Sequence, residues 1–318
     1  MIKTKKFLLS LIVPVFNEEA NILPFYMDTI KVIDKIKMDY EIIFINDGSR
    51  DRSLDGMAQL RKKDPRVKII DLSRNFGKEA ALSAGLDFCS GDAAIPIDVD
   101  LQDPPEIMLE LIEKWKEGWD VVYATRARRL GESWLKKLTA SLFYRFMGRI
   151  TDIHIPPDTG DFRIMDRKVV EAIRKLPEKT RFMKGLFSWV GFRQIGVKYQ
   201  RNPRFKGKTK YSYGKLFNFA ALGITSFTTS PLRIATWLGG LISVSSVLYA
   251  LFLFIRTMIY GSDLAGYPST MISILILGGI QLLTIGILGE YVGHIYKESK
   301  KRPLYLVREH AGFKKPKK

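Results

Sequence analysis

Residues 234–255 run for 22 positions without a charged side chain, bounded by Arg233 and Arg256. A second apolar run, 269–295, carries no charge before Glu290. Each reaches the roughly 20 residues an α-helix needs to cross the hydrocarbon of a bilayer, so placing two greasy helices constrains this chain before anything else does. A pair of buried core helices is the alternative, but core helices are seldom uncharged over such a length. The pattern predicts a transmembrane helical hairpin over 231–296. The 256–268 loop between the spans holds one basic residue, Arg256, whereas 297–318 holds nine Lys or Arg. By the positive-inside rule both termini, and the large domain before the hairpin, are expected on the cytoplasmic side. The N-terminal MIKTKKFLLSLIVPVF has the outline of a signal peptide. Its apolar run is short, however, ends in Pro-Val-Phe-Asn-Glu-Glu and lacks a small-x-small cleavage site.

Ahead of the hairpin, short β-rich runs alternate with helical stretches. The runs are LLSLIVP (8–14), EIIFIND (41–47), VKIIDL (67–72), AAIPID (93–98) and DVVYAT (120–125), short and apolar enough for strands buried on both faces. Between them 18–37, 51–63 and 104–117 have the spacing and charge of amphipathic helices. Such alternation predicts an α/β fold with a doubly wound, mostly parallel sheet whose ligands sit at the carboxyl ends of the strands. After Arg126 the regularity fades into a basic, aromatic-rich region with PPDTGDFR (156–163) and RNPRFKGKTKY (201–211). The division that follows is a large cytosolic domain at 1–210, an interfacial amphipathic helix at 211–230, the hairpin at 231–296 and a basic cytosolic tail at 297–318. For 211–230, with Tyr213, Leu216, Phe217, Phe219 and Leu222 ahead of Pro231, the competing reading is an ordinary core-packing helix.

Lys and Arg outnumber Asp and Glu by 51 to 33, a formal net charge of +18. That excess points to polyanions: nucleic acid, anionic headgroups or phosphorylated substrates. A nucleic-acid binder would account for the charge but not for the hairpin. The single cysteine, Cys89, excludes an intrachain disulfide and a cysteine metal cluster, and three histidines leave little for a zinc site.

Oxygen ligands are better represented. IPIDVDLQDP (95–104) ends a strand in Asp98-Val-Asp100, and alternation along a strand projects both carboxylates from one side. With the amide oxygen of Gln102 they form a hard-oxygen set for Mg2+ or Mn2+ that leaves room for substrate phosphates. A lone D-x-D arises by chance in many loops; here an apolar strand precedes it and Pro104-Pro105-Glu106 starts a helix after it. The first strand exits through Val13-Pro14-Val15-Phe16-Asn17-Glu18-Glu19. An aromatic for stacking and a carboxylate for ribose hydroxyls or a base edge suit a nucleoside pocket; the alternative is a proline turn with Asn17 capping a helix. The second strand exits through Asn46-Asp47-Gly48-Ser49, where Asp47 can bind the nucleoside and Gly48 permits a tight turn.

In order, VPVFNEE, INDGSRD, DLSRNFGKEAAL, DVDLQDPPE and DTGDFRIMDR resemble the inverting glycosyltransferases of family 2, which have a GT-A fold. With the hairpin the chain resembles, more narrowly, bacterial polyisoprenyl-phosphate glucosyltransferases, relatives of dolichol-phosphate mannose synthase. The similarity spans essentially the whole chain. It implies that Pro14, Phe16, Glu18, Asp47 and Asp98 hold the nucleotide sugar and that Asp98, Asp100 and Gln102 hold the metal on its diphosphate. It also matches Arg126 and the Arg204-x-x-Gly207-Lys208-Thr209-Lys210 segment to positions that contact donor or acceptor phosphates. Arg offers phosphate a planar fork and Lys a point charge, and RFKGKTKY reads as a lid that orders when phosphates arrive. Asp100, Asp158, Asp161 and Arg163 are the expected catalytic set. In it, Asp158 or Asp161 positions the acceptor phosphate or touches the sugar, with Arg163 ion-paired to it. No strong base is needed, because the second pKa of a phosphate monoester is near 6.

The implied reaction is inverting transfer of glucose from UDP-glucose to undecaprenyl or a related polyprenyl phosphate at the cytosolic face of a bacterial inner membrane. A runner-up changes the donor to GDP-mannose, UDP-GlcNAc or an amino-arabinose nucleotide. A non-catalytic membrane scaffold predicts eroded carboxylates, yet Asp98, Asp100 and Gln102 are all present. A processive synthase is disfavoured by the absence of a Gln-x-x-Arg-Trp segment and by having only two spans. The resemblance further implies a homo-oligomer, a tetramer, for which Gly239, Gly240, Gly278 and Gly279 allow close helix packing. The basic tail adds about 1 kcal/mol per residue of attraction to an anionic leaflet.

Overall fold

All five apolar runs become strands in the computed structural model, which describes residues 7–36, 38–127, 156, 159–202, 225, 227–261 and 266–313. They are β1 (Leu8–Val15), β2 (Asp39–Asn46), β3 (Val67–Leu72), β4 (Ala93–Pro96) and β5 (Val121–Arg126). The helices α1 (Glu19–Ile33), α2 (Ser53–Lys63), α3 (Lys78–Phe88) and α4 (Ile107–Lys116) follow the first four in turn. Then come β6 (Thr159–Asp166), α5 (Arg167–Arg174), α6 (Met183–Trp189) and β7 (Gln194–Tyr199). Two long helices, α7 (Ser230–Tyr260) and α8 (Tyr267–Ser299), precede a final strand, β8 (Val307–Ala311). Asp158, Arg204, Lys208, Lys210 and most of the helix expected at 211–230 lie outside the described residues.

The sheet order is β7-β5-β6-β4-β1-β2-β3-β8. β1 pairs in parallel with β2 and β4, β2 with β3, and β5 with β7. β6 runs antiparallel between β4 and β5, and β8 runs antiparallel on the outer edge of β3. The chain therefore leaves β3 on one side of β1 and resumes at β4 on the other. Such a reversal opens a crevice at the carboxyl ends of β1 and β4.

Both faces of the sheet are covered, which is why its strands read as apolar runs rather than alternating ones. Leu9, Leu11, Val13, Ile42 and Phe44 pack with Phe25 of α1, Met57 of α2 and Leu111 of α4. Ile12, Ile43, Ile45 and Ile70 face the other way, against α3, α5 and α6. A Cβ on Gly85 would lie 2.2 Å from Ile12 Cγ2, so α3 sits closer to β1 than an alanine would permit.

The segment expected as a basic tail does more than trail in solvent. After α8 the chain returns to the sheet as β8: Ser73 donates its N–H to the Leu306 carbonyl at 2.9 Å, and Arg308 donates to the Ser73 carbonyl at 2.8 Å. Tyr305 donates to Asp87, and Phe313 meets Phe88 edge-on at 5.1 Å. An uncovered β3 would leave a row of unpaired backbone groups, and β8 removes that edge.

Helices α7 and α8 are long and apolar enough to cross a membrane, and Trp237, Leu241, Phe252 and Leu282 on them are exposed. Their roots, by contrast, are tied to the globular part. The Glu298 carboxylate accepts from the N–H groups of Lys179 and Thr180 at 2.8 and 2.9 Å. Tyr291 donates to the Thr228 carbonyl at 2.7 Å, and Phe227 packs against the Phe182 ring.

Candidate active site

The acidic turn begins where β4 stops. Pro96 has no N–H with which to extend a ladder, and after the Ile97 N–H bonds the Ile12 carbonyl at 3.0 Å the strand is over. Asp98, Val99 and Asp100 thus lie in a turn beyond the strand, and Leu101 has φ +58°. The two carboxylates are therefore presented by this turn and not by alternation along a strand. Val99 is buried in the core and anchors the turn. Asp100 is buried and accepts from the Gln102 N–H at 3.2 Å.

Asp98 instead faces Lys78, the first residue of α3. The ammonium is 2.6 Å from Asp98 Oδ1 and 2.8 Å from Oδ2, and 2.6 Å from Asp161 Oδ2. Asp161 arrives there because β6 is antiparallel to β4: with Ala93 opposite Asp166, the opening residues of β6 reach past the carboxyl end of β4. Burial alone would raise the Asp161 carboxyl, but Lys78 and Lys184 hold it down to about 2. Asp98 keeps 30% of its side-chain surface. Lost hydration at the floor of the crevice nonetheless pushes its carboxyl up, against the pull of Lys78. Beside them Glu79 is pushed up to about 8 by burial and by the charge of Asp161, while accepting from the Met183 N–H at 3.2 Å.

The nucleoside side is built by two interlocked loops. Asn17 and Glu18 donate their N–H groups to the hydroxyls of Ser49 and Ser53, each at 3.0 Å, and Arg50 donates back to the Asn17 side chain at 2.7 Å. Asn17, with φ +52°, therefore latches the two loops together instead of capping α1. Pro14, next to last in β1, lies opposite Ile45, Phe16 just beyond the strand is half-buried, and Glu18 accepts from Asn21 Nδ2 at 2.6 Å. Asp47 is buried and accepts from the N–H groups of Phe76 and Gly77 at 2.7 and 3.0 Å, binding the turn that carries Lys78. Burial pushes its carboxyl up despite those two bonds.

On the far side, the Asp103 carboxylate accepts from Tyr199 and lies 3.8 Å from Arg201, which also donates to Gln102 Oε1 at 2.8 Å. Arg126 ends β5 beside Gly160, where an added Cβ would come within 3.3 Å of its guanidinium. Burial opposes its charge, but bonding to Tyr199 and the nearby Asp103 and Asp98 keep it firmly protonated. Among the described residues Arg163 makes no ion pair with Asp161, and Asp158, the other carboxylate expected beside it, lies outside them. Arg163 is buried, donates to the Gly160 carbonyl at 2.9 Å and lies 4.1 Å over the Phe187 ring. Burial lowers its pKa to about 10.

Lys78 escaped the sequence reading although it stands in the DLSRNFGKEAAL motif. Its signal was a cation in the first turn of a helix, where the helix dipole disfavours positive charge. Tyr199 and Arg201 left no comparable signal, because only β7 brings them to Asp103 and the acidic turn.

A divalent cation would meet Asp98 and Asp100 at one strand end. It would also find Asp161 Oδ1, a buried oxygen with no hydrogen-bond partner among the described residues. That donor chemistry fits Mg2+ or Mn2+. Gln102 fits only by releasing Arg201. Among the described residues no three Asp, Glu, His or Cys side chains stand together tightly enough to hold an ion. The protein thus offers a partial shell, of the kind that substrate phosphates and water complete.

A doubly wound sheet with carboxylates at its switch point and cationic side chains around them is the arrangement expected of the GT-A type of α/β glycosyltransferase. Residues 10–174 match Glycosyl transferase family 2, and 230–295 match the GtrB C-terminal hairpin. The chain is 54% identical over 299 residues to an uncharacterized glycosyltransferase of Synechocystis sp., covering 94% of each. It is 48% identical over 301 residues to the bactoprenol glucosyl transferase of Shigella phage SfX, covering 94% of this chain and 98% of that one. A prophage bactoprenol glucosyl transferase homolog of Escherichia coli K12 gives the same identity and coverage. The chain belongs to glycosyl transferase family 2.

Proposed function

We propose that this enzyme transfers glucose from UDP-glucose to undecaprenyl phosphate or a related polyprenyl phosphate, with inversion at the anomeric carbon. An oxygen of the lipid phosphate attacks that carbon while its bond to the UDP oxygen breaks, leaving UDP with the electron pair. The reading is carried by a GtrB-type hairpin joined to a family 2 domain, in a chain 48% identical to a bactoprenol glucosyl transferase over nearly its full length.

Phe16, Glu18 and Asp47 receive the nucleoside, Asp98 and Asp100 face the diphosphate, and Arg126 attracts phosphate. Asp98 and Asp100 would hold Mg2+ or Mn2+, which would neutralise the departing diphosphate. Asp161, ionised throughout the neutral range beside Lys78, acts by position; the lipid phosphate, already largely dianionic, needs no base. Arg204, Lys208, Lys210 and Asp158 belong to the proposal through the resemblance alone.

The hairpin keeps this chemistry beside the headgroups, since a polyprenyl tail does not readily leave the bilayer. That α7 departs from the globular domain and α8 returns the chain to β3 supports a two-span topology with both ends on one side. The positive-inside count supports the cytoplasmic side for both. Among the described residues, a Cβ on Gly239, Gly240, Gly278 or Gly279 would meet nothing within 4 Å. These glycines are therefore unused inside the hairpin, which favours a role between copies in a homo-oligomer.

The test is incubation of membranes with radiolabelled UDP-glucose and polyprenyl phosphate. Organic-extractable label is expected, lost with EDTA and lowered roughly 100-fold or more by Asp98→Ala or Asp100→Ala. If Asp161→Ala leaves turnover intact while Asp100→Ala abolishes it, the role given to Asp161 falls. Label from GDP-mannose or UDP-GlcNAc in preference to UDP-glucose would replace the donor.

A further inference from the structure

We propose that Lys78 is the resident counter-cation of the donor-free site. Its ammonium holds the Asp98 oxygens that a divalent cation requires, and it yields them only when that cation arrives together with a nucleotide diphosphate. The inference rests on the reading of Asp98 as a metal-site carboxylate and adds a gatekeeper to it.

Both oxygens of Asp98 lie within 2.8 Å of the Lys78 nitrogen, and Asp161 Oδ2 lies 2.6 Å from it on the other side. A divalent ion binds carboxylate oxygen at about 2.0–2.2 Å. An ion on Asp98 would therefore stand against a fixed positive charge, and one of the two cations has to move.

Lys78 is built to be the one that moves. The ammonium rides on a flexible four-carbon stem. Its backbone is held independently, since Gly77 and Phe76 are bonded to Asp47; the side chain can swing without shifting α3. Two features oppose its charge where it sits. It starts a helix, at the positive end of the dipole, and Lys184 lies close enough to compete for Asp161. Two carboxylates hold it. When one is taken by a metal ion, Asp161 remains, and the incoming diphosphate offers the ammonium new oxygens.

A bare ion has to displace Lys78 with nothing to offer in exchange, whereas an ion bound to a nucleotide brings the anionic partner along. Metal affinity in this enzyme is thereby made conditional on donor. Asp47 ties the nucleoside side to the turn that bears the lysine, so the two subsites share one element.

The experiment measures Mn2+ binding by electron paramagnetic resonance of the free ion, on full-length protein in detergent, with and without UDP. Wild type is expected to bind Mn2+ weakly alone and much more tightly with UDP. In Lys78→Met, Mn2+ alone should bind roughly tenfold tighter, the lower end of what one adjacent opposite charge does to a carboxylate's affinity for a proton. The tightening by UDP should shrink in proportion. Lys78→Gln, which still hydrogen-bonds both carboxylates, should match Lys78→Met, and Lys78→Arg should match wild type. Loss of a merely structural contact would weaken Mn2+ binding, not strengthen it.

Mn2+ binding to Lys78→Met and Lys78→Gln no tighter than to wild type overturns the role of Lys78. The metal site itself survives that result if Asp98→Asn abolishes Mn2+ binding in the presence of UDP. If Asp98→Asn leaves that binding unchanged, the metal reading of Asp98 is wrong and this inference goes with it.

Discussion

Glu79 shows what burial among charges does to one side chain. Its carboxyl is pushed up to about 8 by lost hydration and by Asp161, so at neutral pH it is mostly protonated in the folded chain and ionised in the unfolded one. The folded state then binds the extra proton. Stability must decline as pH rises from the ordinary carboxylate range toward 8 and level off above it. Asp161 acts in the opposite sense: held near 2, it stabilises above its ordinary range and loses that contribution as pH falls. Glu79→Gln keeps an oxygen for the Met183 N–H but cannot ionise. Between pH 5 and pH 9 its melting temperature should fall less than wild type's, by at least about 2–4 °C, the shift that 1 kcal/mol produces in a domain this large. Parallel circular-dichroism melts at both pH values would read this, and identical declines would mean that Glu79 titrates normally.

The turn after β2 carries a comparable constraint for a whole element. Gly48 has φ +66°, and a Cβ there would fall 2.4 Å from the Asn75 nitrogen and 2.5 Å from the Arg74 carbonyl carbon. The two turns are packed backbone to backbone, which is how Asp47 reaches the Phe76 and Gly77 amides. Gly48→Ala must either strain its own backbone or push the 74–77 turn away, at a cost of about 1–3 kcal/mol. UDP affinity, measured by calorimetry, should weaken roughly tenfold as the grip of Asp47 on that turn loosens, and the KM for donor should rise more than kcat falls. Unchanged UDP binding would remove Asp47 from the nucleoside site. β8 holds the same turn from the other end through Ser73, so the segment after the hairpin helps to shape the donor side.

At the scale of the whole molecule, the hairpin and the globular domain are joined by polar contacts at the helix roots. Glu298 caps the 179–180 turn and Tyr291 bonds Thr228. A site so placed stays at a set height relative to the helices that would be anchored in lipid. The proposed topology can be tested with the chain's own chemistry, because its one cysteine, Cys89, is buried. With a membrane-impermeant maleimide on intact cells, Ser262→Cys should label and Ser299→Cys should not, the latter reacting only after permeabilisation. Labelling of Ser299→Cys from outside would invert the assignment.

Local pattern was sufficient for much of this protein. The β-rich runs at 8–14, 41–47, 67–72, 93–98 and 120–125, and the apolar spans that became α7 and α8, record hydrophobicity, a property that each residue carries by itself. The acidic turn and the exits of β1 and β2 were legible for the same reason: strand ends at a switch point are where such a sheet places its ligands. What the sequence could not express were pairings between distant segments. DTGDFR announces no strand partner, yet as β6 it slips between β4 and β5 and carries Asp161 to Lys78. VREHA, mostly polar and exposed, gains its strand conformation from the vacant edge of β3. A side chain's hydrophobicity is written at its own position, whereas the partner of a buried charge depends on which backbone the fold brings alongside. The meeting of Asp98, Lys78 and Asp161 was therefore decided by tertiary structure alone.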